Sequence, residues 1–350
     1  MTTPNYHNVH NKFKLNGFHF NEDDLCRVAY SFIKEGDDFE KHVGDFLLDW
    51  FNDKPYLEIL TSGTTGEPKI IKVEKQAMVN SAIATGNFFD LSPGNTALNC
   101  LPVKYIAGKM MFVRAFILGL DMDFIAPKST PLERNDKKYD FIAMVPIQAE
   151  NSLFQINQIK KLIVGGVRMS SNLIAKLKKS KCDVYETYSM TETVTHIAAK
   201  KIGEKAFTIF PNIEIAHDDR NCLVITAQNL NVNKMATNDV VEIISDNQFV
   251  WLGRLDNIIN SGGIKLIPEQ IENKLSVKLK SRFFVAGLPD DTLGEKLVLF
   301  VEGDQYVLDA STFDDLDKYE KPKEVKFVTN FPQTETGKVK RSEVVASILK

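Results

Sequence analysis

The feature that most restricts the fold is an alternation. LEIL (57–60) and IIKV (70–73) are short aliphatic runs that read as strands, and residues 74–89 then read as helix. TALNCLP, a helix over 108–119, DMDFIAP, YDFIAMVP, KKLIVGG, a helix over 170–179 and CDVYETY continue the pattern. Short strands taking turns with helices predict a layered α/β domain. Ahead of them, Phe39, Val43, Phe46, Leu47, Trp50 and Phe51 recur at helical spacing and predict an amphipathic helix over 39–51. From about 205 to 253 the helices vanish and FTIF, IEIA, CLVITA, DVVEII and FVWLG read as a β-rich subdomain. A small α+β piece follows, with a helix near 268–280 and strands in RFFVAGLP and KLVLFVEG. The expected organisation is a large α/β N-terminal domain over 1–253 and a small α+β domain over 257–350.

A chain of 350 residues with 43% hydrophobic and 25% charged residues can bury a large core. The net charge of −3 gives no electrostatic pull toward nucleic acid or an anionic membrane. Cys26, Cys100, Cys182 and Cys222 are scattered without CxxC spacing, as in reduced cytosolic proteins. The polar N-terminus and the absence of an apolar run of about 18 residues add to the expectation of a cytoplasmic protein.

TSGTTGEPK, Thr61 to Lys69, packs glycines, hydroxyls and one lysine into nine residues. Glycines let backbone N–H groups converge on an anion, the hydroxyls of Thr61, Ser62, Thr64 and Thr65 add donors, and Lys69 supplies charge. The spacing from Gly63 and Gly66 to the lysine is not that of the Walker loop, and strand rather than helix follows it. A flexible surface turn between two strands is the plain alternative.

This loop resembles the phosphate loop of the adenylate-forming superfamily, which holds acyl-CoA synthetases, luciferases and peptide-synthetase adenylation domains. Four further segments resemble that family's motifs in the same order. VYETYSMTET (184–193) is similar to its aromatic-Gly-x-Thr-Glu segment, with Ser189 in place of the glycine. The resemblance implies that Tyr188 stacks on adenine, Thr191 binds the α-phosphate and Glu192 holds Mg²⁺. MATNDVVEI (235–243) resembles the Thr-Gly-Asp segment, with Asn238 for glycine, and implies that Asp239 takes the ribose hydroxyls. WLGRLDNIINSGGIKLIPEQIE (251–272) resembles the hinge and the glycine loop after it. By that match Arg254 grips ribose or phosphate, Asp256 is the pivot, and Gly262, Gly263 and Lys265 lie along the coenzyme A tunnel. PQTETGKVKR (332–341) resembles the last motif and implies that Lys338 enters the active site for adenylation.

What the family match implies is ATP-dependent conversion of a carboxylic acid to an acyl-AMP and then to a CoA thioester, with ATP, Mg²⁺ and coenzyme A as requirements. Only 60 residues precede the loop, fewer than is usual in the superfamily, and the short form resembles the compact o-succinylbenzoate–CoA ligases of menaquinone biosynthesis. LPVKYIAGKMMFVRAF (101–116) resembles the pocket helix of that branch, and Arg114 lies there among apolar residues. A charge in such company needs a partner. The second carboxylate of o-succinylbenzoate is one, and a structural ion pair is another. Gly165, Gly166 and Arg168 of VGGVRM, and His196, are further candidates for the acyl pocket. Another aryl- or medium-chain acid, a carrier-protein adenylation enzyme and a non-catalytic acyl-nucleotide binder are the rival readings.

Overall fold

The computed structural model describes residues 3–60, 70–334 and 339–349. Thr61–Lys69 and Lys338 therefore lie outside the described residues. The chain opens with a small hairpin, β1 (Lys14–Leu15) and β2 (Phe18–His19), and two helices, α1 (Glu22–Glu35) and α2 (Asp38–Phe51). The alternating region supplies β3 (Tyr56–Leu60), β4 (Ile70–Glu74), α3 (Lys75–Phe88), β5 (Thr96–Asn99), α4 (Ile106–Leu118), β6 (Asp121–Phe124), β7 (Tyr139–Met144), α5 (Pro146–Asn151), β8 (Ile159–Val164), α6 (Ser171–Leu177) and β9 (Asp183–Ser189). The strand-only region holds β10 (His196–Lys201), β11 (Phe207–Ile209), β12 (Glu214–His217), β13 (Cys222–Ala227), β14 (Val232–Ser245) and β15 (Gln248–Arg254). The last part contains β16 (Ile259–Ser261), β17 (Ile264–Leu266), α7 (Pro268–Leu275), β18 (Phe283–Asp290), β19 (Gly294–Glu302), β20 (Glu324–Val328) and α8 (Arg341–Ile348).

Thirteen strands form one sheet in the order β12-β13-β14-β15-β11-β10-β9-β8-β7-β5-β6-β1-β2. From β9 to β1 the neighbours run parallel, with β9 on β8, β8 on β7, β7 on β5, β5 on β6 and β6 on β1. Across β9/β10 the pairing turns antiparallel, and it stays so through β11, β15, β14, β13 and β12. The β-rich stretch thus forms the antiparallel half of the same sheet. Its short connections permit hairpins, whereas the parallel half needs helical crossovers. β3 and β4 pair antiparallel outside this sheet, with Leu60 opposite Ile70 across the phosphate-loop segment.

Helices cover both faces of the parallel half. α1 to α4 carry one core with Leu25, Phe46, Trp50, Met78, Phe112 and Phe116, while α5 and α6 cover the other face with Ala149, Leu173 and Leu177. α4 buries every side of its middle turns, including Met110, Phe112, Arg114 and Phe116, as expected for a helix apolar all round. α1 escaped the sequence analysis, yet its start was legible. Asp24 N–H donates to Asn21 Oδ1 at 2.9 Å and Asn21 N–H donates to Asp24 Oδ2 at 3.3 Å, a reciprocal cap.

The strands change sheet between Arg254 and Ile259. A five-stranded sheet, β17-β16-β19-β18 with β20 beside β19, is packed by α7 on one face and α8 on the other. α7 stops at Leu275, short of the expected 280. Gly262 and Gly263, with φ of +59° and +84°, form the two-residue turn between Ser261 and Ile264 of β16 and β17. Two successive positive φ values are what a tight hairpin asks of its central residues, so glycine pairs there for a backbone reason.

Candidate active site

The carboxyl ends of β8 and β9 carry Gly165, Gly166, Arg168, Tyr188, Thr191 and Glu192, at the edge where open α/β sheets bind ligands. Gly165 and Gly166 follow β8 directly, and Gly165 N–H donates to Met144 O at the end of β7. β9 ends at Tyr188 and Ser189, and Thr191–Thr193 form a single 3₁₀ turn. Glu192 is exposed, and its carboxylate makes no hydrogen bond or ion pair with a described residue.

Tyr188 reaches across to the antiparallel half. Its hydroxyl donates to Asp239 Oδ2 at 2.7 Å, and the Trp251 indole N–H donates to Asp239 Oδ1 at 3.0 Å. Arg254 Nη1 lies 3.6 Å from Oδ1 of the same carboxylate. Asp239 is buried, so these donors replace the water it gives up. Burial, with the Asp239 charge beside it, raises the Tyr188 phenol and keeps it a proton donor. The Tyr188 ring meets Phe249 edge-on at 5.3 Å.

Arg254 also donates to Asp256 Oδ2 at 3.0 Å, and the Asn238 amide approaches both oxygens of Asp256 at 3.2 Å. Asn238 sits inside β14 rather than in a turn, because the next residue, Asp239, is paired in register with Arg254. Lys265 is exposed on β17, opposite Asn260.

A second cluster centres on Arg114. Arg114, on α4, is 2% exposed and has no carboxylate partner among the described residues. Its Nε donates to Thr85 Oγ1 at 3.3 Å, its Nη2 faces Thr195 Oγ1 at 3.4 Å and His196 Nε2 at 3.3 Å, and its Nη1 meets only the Met111 thioether at 3.8 Å. All four acceptors are neutral. Burial lowers the guanidinium to about 9, which still leaves it charged at neutral pH. Burial, and then the Arg114 charge, holds His196 well below its ordinary value. A guanidinium can only donate, so His196 Nε2 accepts and the ring proton is assigned to Nδ1. Thr85 Oγ1 is 2.9 Å from the same Nε2.

Val194 joins the two clusters. Its φ of 68° and ψ of −56°, with Thr195 N–H donating to Thr193 O at 2.7 Å, make a three-residue γ-turn of the strained kind. The turn sends Thr191 and Glu192 one way and Thr195 and His196 the other.

Arg168, read in the sequence as a second pocket cation, shares no partner with Arg114. Its Nη1 donates to Glu269 O at 3.2 Å, and its guanidinium lies 5.9 Å from the centre of the Trp251 ring. Thr85, Thr195 and Trp251 are the site residues that sequence reasoning missed. Thr85 precedes Gly86 in the last turn of α3, a small-residue step that marks a close approach. A Cβ at Gly86 would stand 2.6 Å from Leu118 Cδ2 of the next helix.

A large parallel-to-antiparallel sheet with an aromatic, hydroxyls, an acid and an arginine at its strand ends, joined to a small α+β unit, defines a two-part α/β enzyme architecture suited to a nucleotide. Residues 49–220 match the model of the AMP-binding enzyme family. A solved acyl-CoA synthetase (AMP-forming)/AMP-acid ligase II-like protein from Dyadobacter fermentans is 32% identical, with a TM-score of 0.62 over 93% of this chain and 98% of that one. The chain belongs to the AMP-binding enzyme family. It is also 26% identical to a 2-succinylbenzoate–CoA ligase of Listeria monocytogenes, over 91% of this chain and 74% of that protein. The fold resembles o-succinylbenzoate CoA synthetase of Bacillus subtilis, solved with ATP and magnesium ion, at 18% identity and a TM-score of 0.71 over 82% of this chain and 69% of that one.

Proposed function

We propose that the chain is an AMP-forming acid–CoA ligase whose acid is o-succinylbenzoate. Support for the acid comes from one observation above the rest: Arg114 is a buried cation whose acceptors among the described residues are all neutral. Leaving an ion inside a protein without a counter-charge costs several kcal/mol, of order 3–5 when one partner of a buried pair is removed. A dicarboxylate supplies the missing charge, with one carboxylate on Arg114 and the other left to react. The relatives named as 2-succinylbenzoate–CoA ligases support the same reading.

In the first half-reaction the free carboxylate of the acid attacks the α-phosphorus of ATP and pyrophosphate leaves. Catalysis here is mainly positioning and charge neutralisation. Tyr188 lies against the base, Asp239 and Arg254 bind the ribose, Thr191 donates to the α-phosphate, and Thr61–Lys69 with Lys338 neutralise the leaving group. Mg²⁺ fits this site through Glu192, an exposed carboxylate with no bond to a described residue. No group of three metal-ligating side chains occurs among the described residues, which suits an ion that takes most of its ligands from phosphate and water. When bound, the ion supplies charge neutralisation at the phosphates. In the second half-reaction the small unit turns about Asp256, and the CoA thiolate, entering past Gly262, Gly263 and Lys265, displaces AMP from the acyl carbon.

The test is pyrophosphate release from ATP with purified protein. The proposal expects release with o-succinylbenzoate alone and formation of its CoA thioester when CoA is added. Release with benzoates or fatty acids but not with o-succinylbenzoate would remove the assigned acid. Silence with every acid would leave a binding protein.

A further inference from the structure

We infer that Trp251 is a positioning residue that ties occupation of the nucleotide site to docking of the small C-terminal unit. The inference rests on the reading of Asp239 as the ribose acceptor. β14 and β15 pair with a bulge, since Val240 faces Gly253 but Val241 faces Trp251. The extra residue, Leu252, shifts the side-chain alternation by one and leaves Trp251 on the same face as Arg254 and Asp239. Trp251 and Arg254 consequently both reach one carboxylate.

The other side of the indole looks toward the C-terminal unit. Arg168 lies over the Trp251 ring at 5.9 Å and donates to Glu269 O at 3.2 Å, in the first turn of α7. That turn sits directly on β15. A Cβ at Gly253 would stand 2.4 Å from Glu269 Oε2 and 2.6 Å from Ile267 Cγ2, so a larger residue would have to push these side chains aside. Asn257 Nδ2 donates to Glu269 Oε1 at 2.5 Å, while Glu269 Oε2 is buried with no hydrogen-bond partner among the described residues. Ser171 Oγ and Ser276 Oγ, 2.6 Å apart, bridge α6 to the residue after α7.

One side chain therefore stands between two events. Its N–H orients the acid that takes the ribose, and its ring is the platform for the arginine that holds α7. Ribose hydroxyls arriving at Asp239 share or displace the indole N–H. Any shift of the indole changes the surface on which Arg168 rests. Coupling of this kind is reciprocal, so loosening α7 must also change nucleotide affinity.

The chain has two tryptophans, and Trp50 is fully buried in the N-terminal core, so Trp251 is the emitter near the nucleotide site. The experiment titrates AMP into the full chain, following tryptophan emission, calorimetric affinity and amide hydrogen exchange of α7. In the wild type, AMP is expected to alter the emission and the α7 exchange together. Trp251→Phe keeps a ring under Arg168 but loses the N–H, and should weaken AMP about tenfold with α7 still protected. Arg168→Ala, which touches neither Asp239 nor Tyr188, should speed α7 exchange and lower AMP affinity as well. AMP binding that leaves α7 exchange unchanged in the wild type, or Arg168→Ala with unaltered AMP affinity, overturns the coupling while sparing the nucleotide site. Absence of any AMP binding to the wild type removes the nucleotide reading, and this inference with it.

Discussion

Two arginines of this chain lie against phenylalanine-rich cores, and they are neutralised in opposite ways. Arg341, at the start of α8, faces Glu272 of α7. Its Nη2 donates to Oε2 at 2.9 Å, and its Nη1 is 2.8 Å from Oε1 but too poorly aligned to count as a hydrogen bond. The guanidinium also sits 5.4 Å from the Phe284 ring. Arg114 has a thioether, two threonines and a neutral histidine. Arg341 finds its counter-charge within the chain and joins α8 to α7. Arg114 meets no carboxylate among the described residues. A cation with its own carboxylate needs nothing further, whereas a buried one among neutral acceptors carries the proposal of an anionic partner from outside.

The sharpest way to break this contrast is Arg114→Met. Truncating one side of a buried, hydrogen-bonded charge pair costs about 2–5 kcal/mol. On that scale kcat/KM for o-succinylbenzoate should fall by roughly 30- to 5,000-fold. Thermal stability should hold or rise, because an apolar side chain of similar volume replaces an uncompensated charge. Retained activity together with a lower melting temperature would make Arg114 structural after all. The mirror experiment is Glu272→Ala. It should cost about 1–3 kcal/mol in urea denaturation, a range discounted because the Arg341 side chain is 34% exposed. If the fold tolerates this change without loss, the paired arginine is not what holds α8.

How much of this contrast was legible in the sequence differs between its halves. Arg114 stood out because residues 106–118 contain no acid to pair with it, and that is a property of one helix. Glu272 and Arg341 are 69 positions apart, and nothing local links them. The same divide runs through the rest of the molecule. The alternation from 96 to 188 announced the layered α/β half, because period and length are local. That β10 continues the sheet antiparallel from β9 was hidden, since HIAAKK is too short and too polar to declare itself. Tyr188 and Asp239 were each singled out by motif, but their direct bond was not, and the bond from Arg168 to α7 was hidden for the same reason. Motifs mark residues, whereas register and bulges decide which of them touch.

Two smaller measurements sharpen the Arg114 side. His196 is held below its ordinary value of 6.5 by burial and by Arg114, so the unfolded chain binds its proton more readily than the folded one. Its contribution to stability is present above pH 6.5 and is lost as pH falls from there toward the folded value. The slope is at most about 1.4 kcal/mol per pH unit. Melting curves of His196→Gln should therefore flatten on the acid side relative to wild type, and parallel curves would clear His196 of the effect. Thr85→Val keeps the shape and removes the hydroxyl. It should cost about 1 kcal/mol, read as a several-fold rise in KM for the acid with kcat little changed. A pure loss in kcat would place Thr85 closer to the reacting atoms than Arg114.

Val194 carries a consequence of another kind. It is 2% exposed, packed in the main core, and its backbone holds a φ of 68° that β-branched residues avoid. The peptide geometry asks for glycine while the surrounding space asks for valine, and no coded amino acid offers both. Evolution can therefore only compromise here. A library screened for heat resistance and a library screened for turnover should pull this position toward different residues.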